Sequence, residues 1–312
     1  MQTKKSIIPY EGALLNPRRD ATFKALFGGE STNARFALKS FLEAVLEANI
    51  ENIQLAPNEL PGDSEDEKQP RFDLTCTIDG EKVNVEMQTS DTFLNYANRV
   101  EYYVAHLLNH YSPRGMHWKD VPKVYQVSVL NFFFDQSSPT AVSQYQMRTE
   151  DGRRLNRRMN VFILELPKMG DDPLNIETLT PVERWCTFLK YADDPEKADV
   201  IKTLCSAEAG IMAASTVLSE ISQDEAAWLA EFARDVAERD HMDLIATLEE
   251  KKAALAETEA ALAEKAAALI KKDSVLAEKD SALAEKDTAL AEKEAELELL
   301  RAQLAALQSK IK

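Results

Sequence analysis

Residues 71–88 read RFDLTCTIDGEKVNVEMQ, two short runs of alternating residues joined by Asp79-Gly80. This dipeptide favours a two-residue turn between antiparallel strands. The stretch therefore predicts a β-hairpin, with one strand at residues 71–78 and the other at residues 81–88.

The pairing of the two strands follows from the length of the turn. With a two-residue turn Ile78 pairs with Glu81, and Asp73 then lies opposite Glu86. We therefore expect two carboxylates close together on the polar face of the hairpin. On alternation alone, a hairpin whose polar face meets solvent is the commoner case. The apolar face is predicted to carry Phe72, Leu74, Cys76 and Ile78 from the first strand and Val83, Val85 and Met87 from the second.

Apolar periodicity, with breaks at Gly and Pro, predicts further elements on both sides of the hairpin. The mixture of helices and strands indicates an α/β fold. The predicted helices cover residues 16–27, 32–48, 92–111, 181–191, 207–219 and 224–240, the further strands cover 123–134 and 159–166, and the polar segment 61–70 is a surface loop.

A leucine recurs every seven residues from Leu248 to Leu304, in a segment without Gly or Pro. Strong helix formers fill this segment, so it predicts a helix on the order of 100 Å long at about 1.5 Å per residue. The positions that would complete a second apolar seam hold Lys or Asp, and any coiled coil is therefore only half formed. We expect a weak or transient homo-oligomer, or a tail whose function is to act as a scaffold for self-association.

The composition limits the class of protein. The chain has 312 residues, 45% of them hydrophobic, which is enough for one large domain followed by the repetitive tail. No signal peptide or membrane-spanning stretch is visible, so a cytoplasmic protein without a membrane partner is expected. The three cysteines lie far apart, without the spacing of a zinc site or a disulfide framework, and reduced thiols are expected.

The net charge of −16 argues against non-specific binding to nucleic acid, which depends on neutralising phosphates. Any contact with DNA must therefore be local. Basic clusters alone are equally consistent with an ordinary solvated surface. The arginines expected to contact DNA are those of the densest cluster, Arg153, Arg154, Arg157 and Arg158, and a smaller cluster is Arg18 with Arg19.

Four sequence features occur in an order and spacing typical of one family. They are NPRRDATFKALFG at 16–28, RFDL at 71–74, VEMQ at 85–88, and Arg99 followed by Tyr103. Over residues 14–190 the chain resembles the Rpn family of recombination-promoting nucleases, also described as PD-(D/E)XK family putative transposases. The resemblance implies a restriction-endonuclease-like α/β/α core.

The same resemblance implies a division of the chain and an activity. A PD-(D/E)XK nuclease-like domain would cover residues 14–190, after an N-terminal extension at 1–13. A helical C-terminal subregion is expected at 191–240 and the heptad-repeat helix at 241–312. The implied activity is that of a Mg²⁺-dependent DNA endonuclease linked to recombination or transposition, with other divalent cations as alternatives.

By this resemblance, Asp73 and Glu86 are the metal ligands and Met87 adds its backbone carbonyl. Oxygen ligands of this kind are those that Mg²⁺ prefers. Asp20 would be an acid on the first helix that assists the metal site. Taken alone, Asp20 is better explained as a helix cap or as the partner of Lys24 four residues on.

Gln88 would occupy the position of the catalytic lysine in most PD-(D/E)XK enzymes. A glutamine can position the attacking water, but it carries no positive charge for the transition state. Arg99 and Tyr103 match family positions that would orient the site or contact a phosphate. The neutral Gln88 and the acidic surface also support a second interpretation, an idle nuclease fold kept as an interaction module whose tail recruits partners.

Overall fold

The computed structural model describes residues 7–56, 72–90, 93–170 and 175–310 of the chain. The loop predicted at 61–70 lies outside these residues. The chain separates into two units, residues 1–234 and 235–312. The domain boundaries predicted after residues 13, 190 and 240 stay predictions.

The described residues contain one mixed sheet of six strands in the order β1-β2-β3-β4-β6-β5. The neighbours β3, β4 and β6 are parallel, and the remaining pairs are antiparallel. Strand β3 therefore lies in the interior of the sheet, with an antiparallel neighbour on one side and a parallel neighbour on the other. The strands are β1 (Ile53–Ala56), β2 (Leu74–Ile78), β3 (Glu81–Gln88), β4 (Val124–Leu130), β5 (Val142–Gln146) and β6 (Met159–Glu165).

The predicted hairpin is confirmed in its turn and in its register. Asp79 and Gly80 have φ angles of 46° and 87°, the left-handed values that a tight turn between strands needs. Ile78 pairs with Glu81, as a two-residue turn requires. Aspartate and glycine adopt positive φ more readily than other residues, so this dipeptide fixes the pairing locally.

Helices cover both faces of the sheet, as the predicted α/β/α arrangement requires. Five of them, α1, α2, α4, α5 and α6, contribute to the main core on one face. Helix α3 packs across β4 and β6 on the other face, where it contributes to two smaller clusters. The helices are α1 (Asp20–Gly28), α2 (Thr32–Leu46), α3 (Phe93–His110), α4 (Pro181–Tyr191), α5 (Ala198–Ala207), α6 (Ala209–Ile221) and α7 (Glu225–Lys310).

Several predicted boundaries are wrong for identifiable reasons. Helix α1 begins at Asp20 rather than Asn16, because the Asn16 side chain accepts a hydrogen bond from the backbone N–H of Arg18 at 2.9 Å and holds a turn there. Strand β4 ends at Leu130, four residues earlier than predicted. The sequence interpretation also missed the edge strands β1 and β5, together with helix α5.

Phe72 does not share the face predicted for it. Strand β2 begins only at Leu74, so the strict alternation of side chains does not extend back to Phe72. Its ring lies 5.3 Å from that of Tyr103 and packs with Leu107, both on α3. Cys76, by contrast, lies in the main core on the opposite face.

The segments predicted as a helix at 224–240 and a heptad tail belong to one continuous helix, α7, of 86 residues. Its heptad leucines are solvent-exposed, from Leu248 at 50% to Leu304 at 61%. Within the described residues, no helix is both long and apolar enough to cross a membrane. The three cysteines are free and buried.

Helices α2 and α6 approach each other closely at Gly210. A Cβ atom at this position would lie 2.2 Å from the Cβ atom of Ser40 and 3.3 Å from the Trp185 ring. Trp185 is itself enclosed by Phe27 and Phe41, with ring centroids at 5.8 and 5.5 Å. The core beneath α1 therefore depends on a residue without a side chain.

We predict that Gly210→Ala destabilises the protein by about 1 kcal/mol. The steric clash, typically about 1–3 kcal/mol, outweighs the gain of about 1 kcal/mol that alanine brings to a helix. Urea denaturation measures the change, with Gly170→Ala as the control because a Cβ there meets nothing within 4 Å. Gly210→Ala should cost less in a Ser40→Gly background than in the wild type, and equal stability of the two alanine variants would contradict the assignment.

Candidate active site

Asp73 and Glu86 come together at the carboxyl end of β3. The last pair of the hairpin ladder joins Leu74 to Val85, so each carboxylate residue lies one step beyond it. Asp73 precedes the strand, and its Oδ2 accepts a hydrogen bond of 3.0 Å from the backbone N–H of Met87. The carboxylate of Asp73 is thereby held beside the residue that follows Glu86.

Glu86 is buried, with 4% of its surface exposed. Removal from water, followed by repulsion from Asp73, raises the pKa of the Glu86 carboxyl to about 8. The exposed-hairpin alternative is therefore wrong for this face, where Thr75 and Asn84 are also fully buried. Helix α3 covers it, as expected for a strand in the interior of an α/β sheet.

A chain of hydrogen-bonded, buried polar side chains on β3 and β4 ends at Glu86. Asn84 donates through Nδ2 to Glu86 Oε1 at 3.2 Å and to Gln126 Oε1 at 2.7 Å. Gln126 in turn donates to Ser128 Oγ at 3.3 Å. The sequence interpretation missed this network, although polar residues within the otherwise apolar strand VYQVSVL were a usable signal.

Lys24 on α1 lies between two of the predicted acids. Its Nζ is 2.8 Å from Asp20 Oδ1 and 3.0 Å from Asp73 Oδ1. Partial burial opposes the lysine charge, but hydrogen bonds and attraction from the two carboxylates outweigh it and raise the pKa of Lys24. The structure thus brings Asp20 to the site through Lys24. The pair between Lys24 and Asp20 was predicted from the sequence, but the contact between Lys24 and Asp73 was not.

Gln88 and Arg99 are also brought together. Arg99 donates through Nη2 to Gln88 Oε1, and Gln88 donates through Nε2 to the carbonyl of Ser90 at 3.3 Å. The Arg99 guanidinium lies over the rings of Tyr96 and Tyr103, at 4.7 and 5.9 Å from their centroids. Its charge also favours the ionised form of Glu86. Tyr103 is thus a partner of Arg99 at the edge of the site.

The donor set suits a hard divalent cation. Two neighbouring carboxylates and a backbone carbonyl supply oxygen ligands, and Mg²⁺ retains waters in its remaining positions. Among the described residues, no group of three or more His, Cys, Asp or Glu side chains is arranged to hold a metal ion. Two carboxylates with one carbonyl are too few for a closed four-ligand site of the zinc type, and would suit an ion that retains waters.

The four predicted arginines lie far from the carboxylates. They occupy the turn between β5 and β6, next to Met159, which is level with Lys82 across the sheet. Glu86 is level with Ile163, four residues further along the strands. At about 3.3 Å per residue this separates Met159 from the level of Glu86 by about 13 Å. In the smaller cluster, Arg18 forms an ion pair with Asp193 at 2.9 Å.

Helices on both faces of a mixed sheet, with paired acids at the end of an interior strand, define a nuclease-type α/β fold. Residues 17–248 match a protein family described as PD-(D/E)XK nuclease family transposase. The match covers about three quarters of the chain, and the chain belongs to this family. The resemblance inferred from the sequence is thus confirmed. No curated protein and no solved structure matches the chain.

The raised pKa of Glu86 predicts a stability that falls with pH. Between its ordinary value of 4.5 and about 8, the folded chain keeps a proton that the unfolded chain releases. Stability therefore decreases as the pH rises through this window, by about 1.4 kcal/mol per unit of pKa difference. Glu86→Gln removes this dependence and should be the more stable protein at pH 8.5, by a few kcal/mol.

Thermal and urea unfolding at pH 5.5 and 8.5, without divalent cations, tests this prediction. Glu150→Gln is the control, because it replaces an exposed carboxylate outside the site. This control should follow the wild type at both pH values. Parallel curves for the wild type and Glu86→Gln would mean that Glu86 is ionised throughout.

Proposed function

We propose that this protein is a Mg²⁺-dependent DNA endonuclease that hydrolyses phosphodiester bonds. The observation that carries the proposal is the pairing of Asp73 with the buried Glu86 at the carboxyl end of β3. Lys24 and Arg99 compensate the two acids only in part, because the pKa of Glu86 is still raised to about 8, and a bound cation would supply the missing positive charge. Membership of a nuclease and transposase family supports DNA as the substrate and recombination or transposition as the context.

Asp73, Glu86 and the carbonyl of Met87 would hold the cation. When bound, such an ion makes a water more acidic and offsets the negative charge that develops on the phosphate. Gln88 is held by Arg99 and Ser90, and it would orient the attacking water through hydrogen bonds. Helix α3 excludes bulk water from the face that carries Glu86, which strengthens each of these interactions.

Two basic side chains flank the site and would supply the positive charge that Gln88 lacks. Lys24 approaches Asp73 from α1, and Arg99 approaches Glu86 and Gln88 from α3. Both are fixed by contacts on more than one side, so neither has to be ordered when the substrate arrives. We assign Lys24 to the phosphate or its leaving oxygen, with Asp20 as the residue that positions it.

The alternative is a catalytically idle nuclease fold that serves as an interaction module. The neutral Gln88 and the net charge of −16 favour it. The buried pair of carboxylates disfavours it, because a fold without a cation to bind has no need for two acids whose charges destabilise each other. Cleavage assays separate these two functions.

The tail of α7 is a second functional element, which we propose to be a weak self-association surface. Its leucines repeat every seven residues and are exposed, from 50% at Leu248 to 68% at Leu262. A single row of leucines buries too little apolar area for a tight coiled coil. A transient homo-oligomer would bring two nuclease units to the same DNA.

We expect the wild type to nick supercoiled plasmid in millimolar Mg²⁺ and to lose this activity in EDTA. Asp73→Ala and Glu86→Ala should each lower the rate by at least about 100-fold, the scale of losing one key electrostatic group. Glu220→Ala, an exposed control on α6, should cut like the wild type. No cleavage by a folded wild type would favour the idle module.

The same assay tests Lys24. Lys24→Met should slow cleavage at saturating Mg²⁺ by about 30-fold, equivalent to about 2 kcal/mol of transition-state stabilisation. It should also lower the Mg²⁺ concentration needed for half-maximal activity, because a competing positive charge is removed. Lys39→Met is the matched control, since Lys39 makes a similar helical ion pair with Glu43. A drop in Mg²⁺ affinity instead would assign Lys24 a purely structural role.

Self-association through the tail is tested by sedimentation velocity over a range of concentrations. Deletion of residues 241–312 should abolish any increase in size with concentration. Replacing Leu262, Leu269, Leu276 and Leu283 with alanine keeps the helix propensity and should have the same effect. An unchanged oligomeric state in both variants would exclude the tail as the interface.

A further inference from the structure

One end of this acidic protein is basic. Residues 114–123 and 147–158 contain eight Lys or Arg and three Asp or Glu, a local charge of +5 in a chain of net charge −16. We call these two segments the basic end. All eight basic residues are exposed except Lys123 and Arg158, which are half-buried. A positive field of this kind is the electrostatic requirement for binding a nucleic-acid backbone.

The two segments form one surface. Segment 114–123 leads into β4, and segment 147–158 forms the turn between β5 and β6. Arg158 joins them, because its Nη2 donates to the carbonyl of Lys119 at 2.9 Å and its own carbonyl accepts from Val124 N–H at 2.7 Å. The basic end is therefore built on the amino ends of two adjacent parallel strands.

A large aromatic side chain projects from this surface. Trp118 lies in a short 3₁₀ turn, Trp118–Asp120, and 88% of its surface is exposed. The other two tryptophans have structural positions: Trp185 is buried in the core, and the indole of Trp228 donates to the carbonyl of Ser222 at 2.8 Å. The Trp118 ring is little buried on folding, and the carbonyl of the next residue, Lys119, contacts Arg158, so its place on the basic end points to a ligand.

An exposed indole on a basic surface matches the chemistry of unpaired nucleotides. Bases stack on aromatic rings with about 1–3 kcal/mol each, and the neighbouring cations neutralise the backbone phosphates. The paired bases of an intact duplex keep their faces inside the stack, where Trp118 has no access to them. Phosphate contacts alone would leave the indole without a role.

We propose that Trp118, Arg154 and Arg157 form a binding surface for single-stranded DNA. The proposal deepens the endonuclease function and rests on it, since it names DNA with an unpaired segment as the preferred substrate. The level of Met159, where the basic end begins, lies about 13 Å from the level of Glu86 along the strands. A strand stacked on Trp118 would reach the site after several nucleotides.

Binding is measured with the full-length protein in EDTA, using a fluorescently labelled 20-nucleotide oligo(dT) and a mixed-sequence duplex of the same length. Wild-type binding of oligo(dT) should quench tryptophan fluorescence, and Trp118→Ala should abolish the quenching. Trp118→Ala should weaken oligo(dT) binding by about tenfold, a loss of one stacked base, and duplex binding by less than about twofold. Phe36→Ala is the control, because it removes an exposed ring on α2 outside the basic end.

Arg154→Gln with Arg157→Gln should weaken binding of both DNAs and reduce its salt dependence, while the contact between Arg158 and Lys119 stays in place. Equal binding of oligo(dT) by the wild type and Trp118→Ala would overturn the proposal, as would absence of binding by the wild type. Plasmid nicking in Mg²⁺ is scored separately. Binding through Trp118 without nicking would reject the endonuclease function and support the single-stranded DNA surface. Nicking without a role for Trp118 in binding would support the endonuclease function and reject the surface.

Discussion

The burial of Glu86 on an interior strand is the constraint on which the rest of the site depends. Because β3 and β4 are parallel, the chain between them must cross over one face of the sheet, and α3 does so. This crossover covers Glu86 and takes its carboxylate out of water, which raises its pKa. The same helix carries Arg99, whose charge partly compensates for the burial. Helix α3 thus both covers Glu86 and supplies the charge that partly compensates for its burial.

Lys24, on helix α1, compensates the charge of the second carboxylate, Asp73. Asp73 is largely buried, and desolvation together with repulsion from Asp20 raises its pKa, which Lys24 opposes. The ion pair is possible only because α1 packs beside β2 and β3. An acidic cluster of this kind is stable when each carboxylate has a fixed partner. A bound divalent cation would replace part of these contacts.

The distribution of charge is compatible with the proposed action of so acidic a protein on DNA. The carboxylates lie at the carboxyl end of β3, whereas the arginines lie at the amino ends of β4 and β6, at least about 13 Å away along the strands. A polyanion approaching the acidic surface is repelled, and its attraction is confined to the basic end. Separation of the two regions keeps the arginines from neutralising the acids that the proposed cation requires.

Local patterns in the sequence determined the hairpin, its register, the amphipathic helix α3 and the long helix α7. Each follows from short-range periodicity or from the preference of Asp79-Gly80 for positive φ. The edge strands β1 and β5 could not be recognised, because each is short, pairs on one side only and is largely polar or exposed. Only the tertiary structure decided that the polar face of the hairpin is buried, that Lys24 reaches Asp73, and that the arginines lie at the opposite end of the sheet. These facts depend on which distant segments pack together, and sequence periodicity carries no information about that packing.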